Sequence, residues 1–169
     1  MTIGPACPGG APGRQHGQGM MAGLETDLLV IGGAAAGFAC ALEAAERGAR
    51  VLVLEKQPET GGSSAMSGGC LAFAGTDMQR EHGIEDSAEL LASDLKQLGG
   101  DDADEALIAA YATHQLETYD WLRRHGQVFS PVLEASSGHT VPRVHMVDPA
   151  DMARLLAARC RATARTSPR

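Results

Sequence analysis

TDLLVIGGAAAGF, residues 26–38, runs from a short apolar stretch through two glycines into an alanine-rich segment. After Asp27 the residues Leu28 to Ile31 are wholly apolar, which predicts a strand buried on both faces of a parallel sheet. Ala35 to Arg47 places Phe38, Leu42 and Ala45 at three- and four-residue steps, the spacing of one helix face. Gly48 follows as a left-handed C-terminal cap. Arg50 to Glu55, RVLVLE, reads as a second buried strand. The β-α-β unit so formed takes about thirty residues, the length a parallel crossover requires. The fold class is therefore α/β.

The turn between strand and helix carries the chemistry. Gly32-x-Ala34-x-x-Gly37 directly follows a strand and directly precedes a helix, the context a dinucleotide fingerprint needs. Gly32 permits the sharp turn, and the middle position must be small for the backbone to approach a pyrophosphate. Gly37 lets the helix pack closely on the sheet. Backbone N–H groups and the positive end of the helix dipole then face the phosphates. Ala34 departs from the usual middle glycine, and its methyl group weakens the motif. Glu55, 23 residues after Gly32, ends the second strand. An acidic side chain there accepts from ribose hydroxyls and repels a 2′-phosphate, which argues against NADP.

Beyond Lys56 lies a second cluster of glycines and hydroxyls, TGGSSAMSGG, residues 60–69. It is too rich in Gly and Ser for regular structure over most of its length, and a long ordered loop of this kind is usually functional. Asp86 with Glu89 predicts a capped helix to about Leu98, stopped by Gly99 and Gly100. Asp102 with Glu105 opens a helical region to about His125, with a break expected near Thr113. Residues 127–144 hold Pro131, Gly138 and Pro142 and read as short strands and turns. Asp148, Pro149 and Asp151 start a last helix through Met152, Leu155, Leu156 and Arg159.

The 169 residues fit one ordinary domain. Lys and Arg number 14 against a net charge of −7, so no basic stripe exists for nucleic acid, and a small-molecule ligand is expected instead. Cys7, Cys40, Cys70 and Cys160 show neither CxxC nor zinc spacing, so no disulfide framework and no metal site is expected, and a reducing cytoplasm fits. Residues 1–23, rich in Gly and Pro, read as a disordered tail. The apolar stretch Leu28–Leu42 is 15 residues and Gly-interrupted, short of the roughly 20 that span a bilayer. Asp101, Asp102, Asp104 and Glu105 read as a solvated helix start rather than a metal site. No GxSxG elbow accompanies Ser63, Ser64 and Ser67, so they are not read as nucleophiles.

Taken together, residues 25–76 resemble the FAD-binding flavoproteins of the fumarate reductase and succinate dehydrogenase flavoprotein superfamily. GGSSAMSGG is most similar to the branch with ketosteroid and tricarballylate dehydrogenases. The resemblance continues more weakly through HGIEDSAELLASDL, DEALIAAYATHQLETYDWLRRHG and VPRVHMVDPADMARLLAAR. It implies a Rossmann-like FAD-binding domain over residues 24–162, incomplete, with the start of an α+β substrate (capping) region, and a disordered end at 163–169. It implies FAD contacts at Gly32, Gly33, Ala34, Ala35, Ala36 and Gly37, at Glu55 and Lys56, and along Gly62, Ser63, Ser64, Ser67, Gly68 and Gly69. Ser63 stands where respiratory members carry the histidine that bonds the flavin, so non-covalent FAD is implied. Cys70 replaces a residue that is often glycine, which leaves the local backbone path open.

The implied activity is an FAD-dependent oxidoreductase, or a truncated fragment of one. It would transfer a hydride between flavin and a carbon-carbon bond of a small-molecule substrate, adjacent to a carbonyl or carboxylate. In the superfamily the substrate-clamping histidines and arginines and the proton-donating arginine lie further along the chain, so no catalytic residue is assigned. The alternative is a non-catalytic dinucleotide-binding half-domain, inactive alone or completed by a partner chain. His114 and His125 are read as packing or capping residues. His145 lies in a stretch that in relatives is near the substrate, and a packing role is preferred for it too.

Overall fold

The computed structural model of the chain describes residues 25–166. The tail expected at 1–23 lies outside them, as do residues 167–169. The described residues form two compact units, 25–62 with 156–166 and Ser63–Leu155.

In the first unit β1 (Leu28–Ile31) and β2 (Val51–Leu54) pair in parallel, with Leu29 opposite Leu52 and Ile31 opposite Leu54. Helix α1 (Ala35–Glu46) crosses between them and buries Phe38, Ala41, Leu42 and Ala45. It ends as the sequence predicts, with Gly48 at φ +86°. The strands are tied at their start by Asp27, which accepts from the Arg50 backbone N–H at 2.8 Å and pairs with its guanidinium at 3.0 Å. The expectation of strands buried on both faces is corrected. Val30 is buried, but Leu29 and Ile31 are 48% and 82% exposed. Side chains alternate between faces along a strand, and within this unit α1 covers only the face that Val30 shares.

In the second unit β3 (Cys70–Ala72), β4 (Leu133–Glu134) and β5 (Val144–Met146) form an antiparallel sheet ordered β3-β5-β4. A four-residue turn of helix, α2 (Gly62–Ala65), precedes it inside the loop read as irregular. Helix α3 (Asp77–Glu81) was not expected from the sequence. A capping box starts it, with Thr76 accepting from the Gln79 backbone and the Gln79 side chain accepting from the Thr76 N–H.

Helix α4 (Ala88–Gly99) is capped by Ser87 rather than Asp86, because Asp86 is drawn inward by other partners. Helix α5 (Glu105–Arg124) starts on Asp104 rather than Asp102 and runs unbroken past Thr113, whose hydroxyl donates to the Ala109 carbonyl at 2.8 Å. Asp101 and Asp102 lie in a 3-10 turn, Gly100–Asp102. Helix α6 (Pro149–Thr166) is capped by Asp148, which accepts from the Ala150 and Asp151 N–H groups at 2.9 Å. It continues through 163–166, where a disordered end was expected. Among the described residues no helix is long and apolar enough to cross a membrane.

The core of the second unit is mixed. Phe73, Tyr119, Phe129 and His145 form an aromatic cluster with ring centroids 5.2–6.1 Å apart. Beside it Arg143, fully buried, donates to Asp86 at 3.0 Å and lies 3.1 Å from Asp94. Asp94 also accepts from the Thr140 hydroxyl at 2.6 Å, and Asp86 from the Gln79 amide at 2.7 Å. Buried charge is costly unless paired and hydrogen-bonded, and this network supplies the pairing.

Candidate functional site

The turn Gly32–Gly37 of the first unit has the backbone a phosphate cradle needs. Gly32 adopts φ +107°, a conformation disfavoured for side-chain-bearing residues. A Cβ on Gly37 would stand 2.0 Å from the Gly32 carbonyl oxygen, so only glycine allows α1 to begin this close to β1. Ala34 is the N-cap of α1 with extended backbone and makes no side-chain cap bond, and the first turn holds no acidic residue. The methyl of Ala34 is therefore accommodated at an ordinary φ of −101°. The start of α1 carries no carboxylate of its own to oppose a phosphate.

Glu55 lies just past β2, as read from the sequence. Its carboxylate accepts from the Gln57 N–H at 2.8 Å and the Gly33 N–H at 2.7 Å. These two bonds, the Gln57 one foremost, hold its pKa below the ordinary carboxylate value. The result is an ionised acceptor fixed beside the turn. Lys56 is exposed. Gly61, part of the second glycine loop but not among the implied FAD contacts, is buried at φ +121° and donates to the Gly33 carbonyl at 2.7 Å. A Cβ on Gly62 would lie 3.5 Å from that of Ala34. Gly33, Ala34, Gly37, Glu55, Gly61 and Gly62 are thus assembled at one end of the first unit. The Thr60-Gly61-Gly62 run after Pro58 was the available signal for Gly61.

Ser63, Ser64, Ser67, Gly68 and Gly69 belong to the second unit. Ser63, Ser67 and Gly68 are exposed and Ser64 is half-buried. The Ser67 hydroxyl donates to the Ser64 carbonyl at 2.8 Å and accepts from the Gly69 N–H at 3.3 Å. Gly69, at φ +73°, is buried so tightly that a Cβ would meet the Val147 carbonyl oxygen at 2.1 Å. Cys70 enters β3 in regular register with Met146, which fixes the backbone path there.

Within the first unit the residues present fit a dinucleotide: a side-chain-free turn at a helix start and a fixed carboxylate. His114 is exposed near Glu117. His125 bonds the Trp121 carbonyl and packs on its ring at 4.2 Å, as packing and capping predict. His145 is buried in the aromatic cluster.

Residues 27–168 match the family described as FAD binding domain. The acrylate reductase flavoprotein subunit of Shewanella woodyi is 35% identical over 132 residues, 78% of this chain and 26% of that protein. The open conformation of a flavocytochrome c3 fumarate reductase superposes with a TM-score of 0.74 at 29% identity, covering 82% of this chain and 25% of that one. A 3-ketosteroid-Δ4-(5α)-dehydrogenase from Rhodococcus jostii RHA1 gives 0.70 at 25% identity, covering 82% and 36%. The chain thus spans about a quarter of the first of these relatives.

Proposed function

Because the chain belongs to the FAD-binding domain family, we propose that it holds FAD for an oxidoreductase acting on a carbon-carbon bond adjacent to a carbonyl or carboxylate. FAD supplies the redox chemistry, exchanging a hydride with that bond. The chain's own residues bind and orient. Gly32–Gly37 would take the pyrophosphate, Glu55 the ribose hydroxyls, and Gly62, Ser63, Ser64, Ser67, Gly68 and Gly69 the remainder of the cofactor. A serine at 63 cannot bond the flavin as a histidine can, so the attachment is non-covalent.

The observation that carries the cofactor reading is the approach of Gly37 to the Gly32 carbonyl, which opens the helix start to phosphate. The substrate class rests on the relatives: acrylate and fumarate are unsaturated acids, and the 3-ketosteroid is a carbonyl compound.

The test is anaerobic. The FAD-loaded chain is reduced with dithionite and mixed with acrylate, fumarate or 4-androstene-3,17-dione, and flavin absorbance is followed. Reoxidation with formation of the saturated product supports the reading; reoxidation by none of the three overturns it for this chain. A second reading, a half-domain inactive until a partner chain completes it, is favoured by one observation. Leu29, Ile31 and Leu54 expose an aliphatic face on a parallel sheet, a sheet type found covered on both sides. That reading predicts bound FAD without turnover.

A further inference from the structure

Gly69 is held by strand β5. Its carbonyl accepts from the Val147 N–H at 3.0 Å, and its Cα hydrogen faces the Val147 carbonyl, leaving no room for a Cβ. The loop that ends at Gly69 therefore goes where β5 goes. What fixes β5 in depth is His145, opposite Leu71 in register and fully buried. Its ring meets Phe73, Tyr119 and Phe129 edge-on, with centroids 5.5, 5.3 and 5.7 Å away.

Both ring nitrogens are engaged. Nδ1 lies 2.9 Å from the Arg143 carbonyl oxygen, which only accepts, so Nδ1 carries the proton. Nε2 lies 3.0 Å from the Thr76 hydroxyl and is then the acceptor. Thr76 Oγ1 in turn accepts from the Gln79 N–H at 3.1 Å, which locks the hydroxyl at the start of α3. The neutral imidazole thus bridges β5 and the segment that follows β3.

We propose that His145 is a positioning residue for the second glycine loop: as a neutral imidazole bridging Arg143 and Thr76 it seats β5 so that Val147 closes over Gly69. This rests on the reading of Gly68 and Gly69 as cofactor contacts. A second proton on Nε2 reverses the bond, turning the Thr76 hydroxyl toward its longer alternative acceptor, Gln79 Oε1 at 3.4 Å, and puts a charge among three aromatic rings. The charged groups facing the ring are Asp77 at the start of α3 and Asp86 in the segment before α4. From α5 comes Tyr119, with Arg123 bound to Asp77, and on its own strand Arg143, already paired to Asp86 and Asp94. Burial outweighs the two carboxylates and pushes the imidazole below its ordinary 6.5. Because the folded value lies below 6.5, the seating is intact at and above 6.5 and is lost as pH falls through that lowered value.

The experiment uses the whole chain and two variants, H145Q and H145F. Gln can accept from Thr76 but cannot titrate; Phe fills the aromatic site but makes neither bond. Two quantities are read as pH is lowered from 7.5 to the point where H145Q begins to unfold: the protection factor of the Val147 amide without FAD, and the FAD dissociation constant. In the wild type both should weaken together on acidification, and in H145Q that acid component should be absent. H145F should bind FAD about tenfold more weakly even at pH 7.5, the loss of roughly one hydrogen bond's worth of seating.

An identical acid response in wild type and H145Q overturns the proposal, as does unchanged Val147 protection in all three proteins. If Val147 protection behaves as expected while FAD affinity stays flat, His145 seats the loop but Gly69 is not a cofactor contact. If H145F does not fold, the wild type and H145Q comparison decides.

Discussion

Adding one methyl group at Gly37 should cost the chain its cofactor while leaving most of its fold. A Cβ there stands 2.0 Å from the Gly32 carbonyl oxygen, where ordinary contact begins at 3.4 Å, so the helix start and the turn must separate by about 1.4 Å. Both partners are backbone, and no side chain can swing aside. Overpacking of this kind costs roughly 1–3 kcal/mol, and a rigid contact belongs at the upper end. If about 3 kcal/mol falls on the turn geometry, FAD affinity drops on the order of 100-fold.

Gly48→Ala is the control. It lies just past the other end of the same helix at φ +86° with no atom within 4 Å, so it costs about 1 kcal/mol of backbone strain away from the turn. Quenching of flavin fluorescence gives the affinities, and urea denaturation the stabilities. The reasoning predicts a large affinity loss in Gly37→Ala and none in Gly48→Ala. Equal FAD affinity in Gly37→Ala and wild type would refute it.

Arg143→Met should destabilise the second unit by about 3–5 kcal/mol, because it leaves the buried carboxylates of Asp86 and Asp94 without the cation they share; denaturant unfolding measures this. Asp77 is held down at about 2, first by the Tyr119 hydroxyl at 2.5 Å and then by Arg123. A depressed carboxylate stabilises the fold fully above its ordinary 3.8 and loses that contribution as pH falls toward about 2. Tyr119→Phe should therefore cost about 1 kcal/mol at neutral pH and move the onset of acid unfolding upward, which circular dichroism against pH will register. Acid precipitation of the FAD-loaded chain should leave all the flavin in the supernatant, since Ser63 forms no bond to it; yellow precipitate would contradict that assignment.

The parts of the fold legible in sequence are those fixed by neighbours close along the chain. The β1-α1-β2 unit, Gly48 as its stop and Asp148 as the cap of α6 each depend on residues within a few positions. Helix α3 was equally local and its Thr76-x-x-Gln79 box was readable, yet it was lost beside the glycine-rich loop. What sequence could not supply is long-range. Asp86 reads as a helix cap until Arg143, 57 positions away, is found to claim it. The pairing of β3 with β5 and the burial of His145 depend on the same distant contacts.

The site follows the same division. Gly32, Gly37 and Glu55 have physical jobs visible from spacing alone. The tie from Gly61 to Gly33, and the clamp of Val147 on Gly69, are tertiary. The exposure of Leu29 and Ile31 reversed a sound local inference, because an apolar strand reports only that cover is favourable, not that it is present.

The account stands most directly on an amide-resolved titration of the 15N-labelled chain with FAD. It predicts that the largest shifts fall on the backbone N–H groups of Gly33, Ala35, Ala36 and Gly37, with a second set from Gly61 to Gly69. Saturable FAD binding that leaves the 32–37 amides unmoved would contradict it.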